Sequence, residues 1–198
     1  MRGSIRFREL VRRLQTLRTN FLPVSFSPLG QYSSSEYDFA RAYVVLAHAE
    51  IEAYVEDRAR ERARQAVGRW KNTGRTSAVI SRLLEFHNIS MRKPWKRATK
   101  SEKEINAAVS SFFDTLKKNH GVKEQDLLTM LYPIGLRLRD MDNAWLATMD
   151  SFGLQRGTLA HQSIKTQQPL DPETEYKRIR SEILSGLKKL DRKISRLK

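Results

Sequence analysis

Apolar residues at Phe7, Leu10, Leu14, Leu17 and Phe21 step along the chain by 3, 4, 3 and 4. That spacing draws a single seam and predicts an α-helix over about residues 4–20, with arginine on its other faces. The stretch NFLPVSFSPLGQYSSS holds two prolines, a glycine and a serine run, and reads as a loop. A second helix is expected from a cap at Ser35 to about residue 68, burying Tyr43, Leu46, Ala47, Ile51 and Tyr54. Past Glu56 arginine and glutamate alternate, which predicts a solvated end.

A third helix is expected over about 76–88, using Val79, Ile80, Leu83, Leu84 and Phe86. Ser101 with Glu104 makes a capping box for a fourth, which runs to about Asn119 with Gly121 as terminator. EQDLLTMLYP is a short helix ended by Pro133, and a long core helix follows over about 139–164, interrupted at Gly153 and Gly157. Asp171 caps the last helix and Pro172 opens it. Its seam of Tyr176, Ile179, Ile183, Leu187, Leu190, Ile194 and Leu197 mirrors the first, so the two are expected to pair with each other or across a dimer. Strand-like alternation is missing, and the fold class is all-α. Three segments are expected: a helix and loop over 1–30, a helical core over 31–168, and a basic amphipathic helix over 169–198.

Charge changes this picture most. Lys and Arg number 37 against 22 Asp and Glu, a formal net charge of +15. Such a surplus repels itself unless an anionic partner offsets it, and nucleic acid is the commonest one. The loop MRKPWKRATK fits that partner, with Arg92, Lys93, Lys96 and Arg97 for phosphates and Trp95 for a base face. Its plainer reading is a solvated loop. The absence of cysteine excludes disulfides, thiolate zinc sites and thiol nucleophiles. No apolar run approaches the roughly 20 residues that span a bilayer. Six arginines in the first 20 residues resemble a transit peptide, but so regular a seam more often packs on a partner helix. A soluble, cytoplasmic protein is expected.

Three of the four histidines follow an arginine at similar distance: Arg41 before His48, Arg82 before His87, and Arg156 before His161. With 23 arginines in 198 residues, chance alone yields about one or two such matches, so neighbourhood must decide. Arg82 and His87 read as a helix-surface pair. His48 precedes Glu52 by one turn, a contact at helical spacing. Arg156 and His161 stand among Gly157, Thr158 and Ala160, where small side chains let a partner or substrate approach. Five steps along an ideal helix separate two positions by about 140°. Convergence there needs a bend at Gly157 or a second subunit.

The stretch LRDMDNAWLATMDSFGLQRGTLAHQS resembles the carboxy-terminal core helix of HEPN proteins, an all-helical superfamily rich in RNases marked by arginine, four to six residues, then histidine. Upstream, ARAYVVLAHAEIEAYVEDRA resembles the first core helix of the RiboL-PSP-HEPN branch. The resemblance implies an up-and-down helical bundle and a metal-independent endoribonuclease, with no cofactor and no metal. It also implies a homodimer in which both Arg–His motifs meet in a composite cleft. Arg156 and His161 become the catalytic pair, with Glu52, His48 and Asp150 as supporting residues. Many members follow the arginine with Asn, Asp or His, where this chain has Gly157.

The chemistry such a pair supplies is specific to RNA, whose 2′-OH is an internal nucleophile. Histidine can take or return its proton near neutral pH, and arginine offers a planar fork to the charged phosphate. Products are a 2′,3′-cyclic phosphate and a 5′-hydroxyl end. A toxin or antiviral effector restrained by an antitoxin or regulatory protein would suit such an activity. Two rival readings predict differently. A catalytically inactive HEPN module binds RNA or a partner protein without cleavage, and a basic architectural factor binds duplex DNA equally well.

Overall fold

A computed structural model describes residues 3–90, 102–161 and 169–197, with side chains at all of these except Ser90 and His161. Among the described residues the regular structure is helical throughout: α1 (Ile5–Phe21), α2 (Ser34–Thr73), α3 (Ala78–Ser90), α4 (Glu102–Lys118), α5 (Glu124–Leu131) and α6 (Asn143–His161). A closing helix follows as α7 (Pro172–Lys177), a π segment (Arg178–Ile183) and α8 (Leu184–Arg196). Short 3-10 turns, Tyr132–Ile134 and Leu138–Asp140, connect α5 to α6.

The organising element is α2, which packs against α1 and against each of α3 to α8. A helix surrounded on all sides loses its one-sided apolar stripe. Accordingly Ala40, Ala47, Ala59, Ala63 and Ala66 are buried with Tyr43, Val44, Ile51, Tyr54 and Val55, and the alanines let neighbouring helices approach closely. Leu46, expected inside, is 36% exposed. The cap is Ser33 rather than Ser35: its hydroxyl accepts from the Glu36 amide while the Glu36 carboxylate accepts from the Ser33 amide. At the far end Gly74 adopts φ 66°, the left-handed turn that stops the helix at Thr73.

The second half of α2 is not solvated as its charges predict. Arg58 and Arg62 are buried. Arg58 donates to the Asp191 carboxylate at 2.9 Å and to the Ser195 hydroxyl at 2.8 Å, and Arg62 donates to the Leu197 carbonyl at the end of α8. Alternating Arg and Glu concealed two cations that fasten α8. The same Asp191 accepts from the Tyr54 hydroxyl and from the amide and hydroxyl of Ser4, the cap of α1. One carboxylate thus ties α1, α2 and α8. The expected seam of α1 holds, with Phe7, Leu10, Leu14 and Leu17 buried, and it belongs to one hydrophobic cluster with the seam of the closing helix.

Helix α6 begins later than its sequence predicts and is not interrupted. Asp142 accepts from the Trp145 amide, setting the start, and the helix runs through both Gly153 and Gly157. Nothing approaches the space a Cβ at Gly157 would fill. At Gly153 a Cβ would meet Lys123 Cγ at 2.7 Å, so this glycine makes room for the α4–α5 turn. Gly121 does not terminate α4, which ends at Lys118; it is held clear because a Cβ there would stand 2.3 Å from an Asp126 oxygen. The expected cap at Asp171 with Pro172 opening the helix is present. The capping box at Ser101 lies outside the described residues, as does the loop carrying Arg92, Lys93, Trp95, Lys96 and Arg97.

Candidate active site

Two helices supply the site. On α2, His48, Glu52 and Glu56 recur every fourth residue; on α6, Met149, Phe152 and Arg156 recur at three and four. Both spacings select a single helix face. Packing α2 on α6 lays the rows together: the His48 and Phe152 rings stand 5.5 Å apart, and the Arg156 guanidinium acts electrostatically on both His48 and Glu52. Of the residues singled out in the sequence, these three converge.

His48 is 1% exposed. Desolvation, and then the positive charge of Arg156, lower its pKa to about 4. It is therefore a neutral imidazole at pH 7. Glu52 is half-buried beside it, and its carboxyl is held above the usual range because burial outweighs the opposing pull of Arg156, His120 and the Gly121 amide. Arg156 is half-buried at the rim.

Asp150 has a different job. Its carboxylate accepts from the Glu124 amide at 2.7 Å and so caps the start of α5. It fixes the α4–α5 turn against α6 two turns before Arg156. Arg41 pairs with Asp38 at 3.9 Å and Arg82 with Glu85 at 2.6 Å, so neither matches the environment of Arg156. The backbone of residue 161 is the last of α6, in the same unbroken helix as Arg156, which sets the two positions about 140° apart around its axis. The side chain of His161 lies outside the described residues.

Several contributors carry no sequence signal. Gln155, beside Arg156, donates to the buried Glu175 at 2.7 Å and anchors α6 to α7. Arg178, in the π segment, sets its guanidinium over the Phe152 ring at 5.1 Å from the centroid. A π segment inserts a residue into the helical ladder, and such insertions recur near functional sites. His120 sits exposed on the α4–α5 turn, within electrostatic reach of Glu52 and Glu56. These contacts join residues distant along the chain.

Two other helices carry cationic surfaces. The closing helix turns Lys177, Arg180, Lys188, Lys189, Arg192, Lys193 and Arg196 to solvent, and α1 adds Arg6, Arg8, Arg12 and Arg13. No helix among the described residues is long and apolar enough to cross a membrane.

A central helix ringed by shorter ones, with a carboxy-terminal core helix ending in the Arg–His pattern, defines an all-α bundle of the HEPN type. The RiboL-PSP-HEPN family profile matches residues 6–196, and the chain belongs to that family. No curated protein and no solved structure matches it.

Proposed function

We propose that this protein is a metal-independent endoribonuclease working as a homodimer. The observation that carries the proposal is the position of Arg156 on α6, at the rim beside Glu52 and above neutral His48, in a bundle whose family contains many RNases. Arg156 binds the scissile phosphate and stabilises charge as it develops in the transition state. His161 takes the proton of the 2′-OH as that oxygen bonds to phosphorus, and the bond from phosphorus to the 5′-oxygen breaks. The products are a 2′,3′-cyclic phosphate and a 5′-hydroxyl end.

The unbroken course of α6 supports a composite site. Without a bend at Gly157, one protomer holds positions 156 and 161 on different sides of its helix, so a second copy supplies the complementary group. The +15 charge favours the polyanionic substrate and steers its approach. The same charge suits an acidic antitoxin or regulator, as expected for a toxin or antiviral effector whose activity must be restrained. The loop of Arg92, Lys93, Trp95, Lys96 and Arg97 is proposed to extend the RNA path.

The test is cleavage of RNA in EDTA by the purified protein, Arg156→Ala and His161→Ala. Loss in both variants supports the nuclease. RNA binding with no cleavage by any of the three favours an inactive binding module.

A further inference from the structure

We infer that the α5–α6 connection, with α8 beside it, binds an unpaired nucleotide of single-stranded RNA, its base in an aromatic pocket and its phosphate in a cationic one. The inference rests on the ribonuclease reading for its choice of RNA and needs no cleavage step. Two cavities meet here, and Arg139 lines both. The first, of about 550 Å³, is walled by Phe86 from α3, Leu128 from α5, and Tyr132, Pro133 and Leu138 from the 3-10 turns. The second, of about 280 Å³, carries Arg139, Lys189 and Lys193 beside the buried Trp145.

Both turns are fixed by the chain itself. Pro133 and Ile134 are buried, and the Gly135 amide donates to the Tyr132 carbonyl at 2.9 Å, with Gly135 at φ 105°. That closed turn presents Tyr132 to solvent, 39% exposed, from an anchored backbone. In the second turn the Asp140 amide donates to the Arg137 carbonyl, and the Asp140 carboxylate accepts from the Arg137 amide. Lys193 donates to the Asp140 carbonyl and so ties the turn to α8. Arg139 rides on this turn, exposed, where the two cavities adjoin.

A nucleobase offers apolar faces and an edge of donors and acceptors, and the phosphate next to it is an anion. The aromatic walls suit the faces. Gln125, on the same face of α5 as Leu128 and Tyr132, lines the pocket with an exposed amide that both donates and accepts. Among the described residues Arg137, Arg139 and Lys189 carry no ion pair. At the cationic cavity three cations face the carboxylates of Asp140 and Asp142, which already accept from the Arg137 and Trp145 amides. The balance stays positive, and Arg137 adds to it at the aromatic pocket. A wholly apolar ligand would leave these cations unmatched. A duplex keeps its bases paired and stacked, away from the aromatic walls.

The test is fluorescence anisotropy with labelled 2′-O-methyl RNA, which cannot be cut by its own 2′-oxygen. The probe is offered single-stranded, annealed to its complement, and as a ribose–phosphate strand of equal length without bases. Tyr132→Leu keeps apolar bulk but removes the ring. It is expected to weaken single-strand binding about 5- to 100-fold and to leave the duplex and the baseless strand unchanged, while Tyr132→Phe binds like the wild type. Arg139→Ala is expected to weaken single and baseless strands alike and to lower the slope of log affinity against log salt by about one. A single strand bound no tighter than the baseless one, or bound by Tyr132→Leu as by the wild type, overturns the site. Arg139 is exposed, so its variant decides even where Tyr132→Leu misfolds, and an unchanged salt slope overturns the site as well. A poly-glutamate peptide that loses as much affinity as the RNA in Tyr132→Leu also overturns it and gives the face to an acidic protein partner. Because no cleavage is read, failure here leaves the nuclease standing, and a protein that cuts nothing leaves this site standing.

Discussion

The Nδ1 of His48 stands 3.5 Å from Oε2 of Glu52, one turn further along α2, yet no ion pair joins them. The imidazole is neutral at pH 7 because burial, reinforced by Arg156, lowers its pKa to about 4 from an ordinary 6.5. Unfolded, the same histidine titrates near 6.5, so between these values the unfolded chain binds the extra proton. The stabilising contribution of the neutral form is complete above pH 6.5 and is lost as pH falls toward 4, a swing of about 3 kcal/mol. Denaturant unfolding from pH 7.5 to 4.5 should show this acid limb, and His48→Gln should flatten it.

Glu52 works in the opposite sense. Its folded carboxyl sits above the normal range, chiefly through desolvation, so the stability it lends is complete at low pH and is lost as pH rises through the folded value. Glu52→Gln should therefore raise the melting temperature at pH 7, and the gain should vanish near pH 4, where both forms are uncharged. If Glu52 positions Arg156, the same variant should cut RNA more slowly. Thermal scans at both pH values, with cleavage assays alongside, read the trade.

Asp191 is the fastening point of α1, α2 and α8. Burial alone would raise its carboxyl, but bonds from Ser4, the charge of Arg58 and the Tyr54 hydroxyl more than compensate and hold it below the usual range. Asp191→Ala strands the buried Arg58 guanidinium and should cost about 3–5 kcal/mol in urea unfolding. Ser4→Ala, which removes one partner and the helix cap, should cost about 1 kcal/mol. The carboxylate's contribution is present above its unfolded pKa near 3.9 and is lost as pH falls through the lower folded value, a window beneath that of His48.

The start of α6 is docked through Trp145, whose indole donates to the Ile183 carbonyl at 3.3 Å while its ring lies against the backbone of Gly186. A Cβ at Gly186 would fall 2.1 Å from the ring. Gly186→Ala should therefore destabilise by about 1–3 kcal/mol through overpacking. Gly157→Ala, in open space within a helix, should leave stability equal or slightly higher. Paired melting curves distinguish the two.

Much of this architecture is legible in the residue pattern, because helical periodicity and caps are local. The seam from Phe7 to Leu17, the cap at Asp171 and the resemblance carried by RGTLAH all lie within short stretches. What escaped is set by contacts across the chain. Arg58 and Arg62 look solvated until Asp191 and the end of α8 arrive beside them, 133 and 135 residues away. Gly153 and Gly157 look like breaks because glycine weakens isolated helices, but packing on α2 and α5 holds α6 together. His120 has no neighbour in sequence to mark it, and only the fold brings it to Glu52.

In the nuclease proposed for this chain, a guanidinium on α6 serves strand scission by RNA's own hydroxyl. Exposing matched RNA, DNA and 2′-O-methyl RNA to the protein in EDTA, and identifying the ends, puts that role to the test. RNA alone should be cut, leaving 2′,3′-cyclic phosphate and 5′-hydroxyl termini. Cleavage of the DNA or methylated strand, 5′-phosphate ends, or activity only with added Mg²⁺ would contradict it.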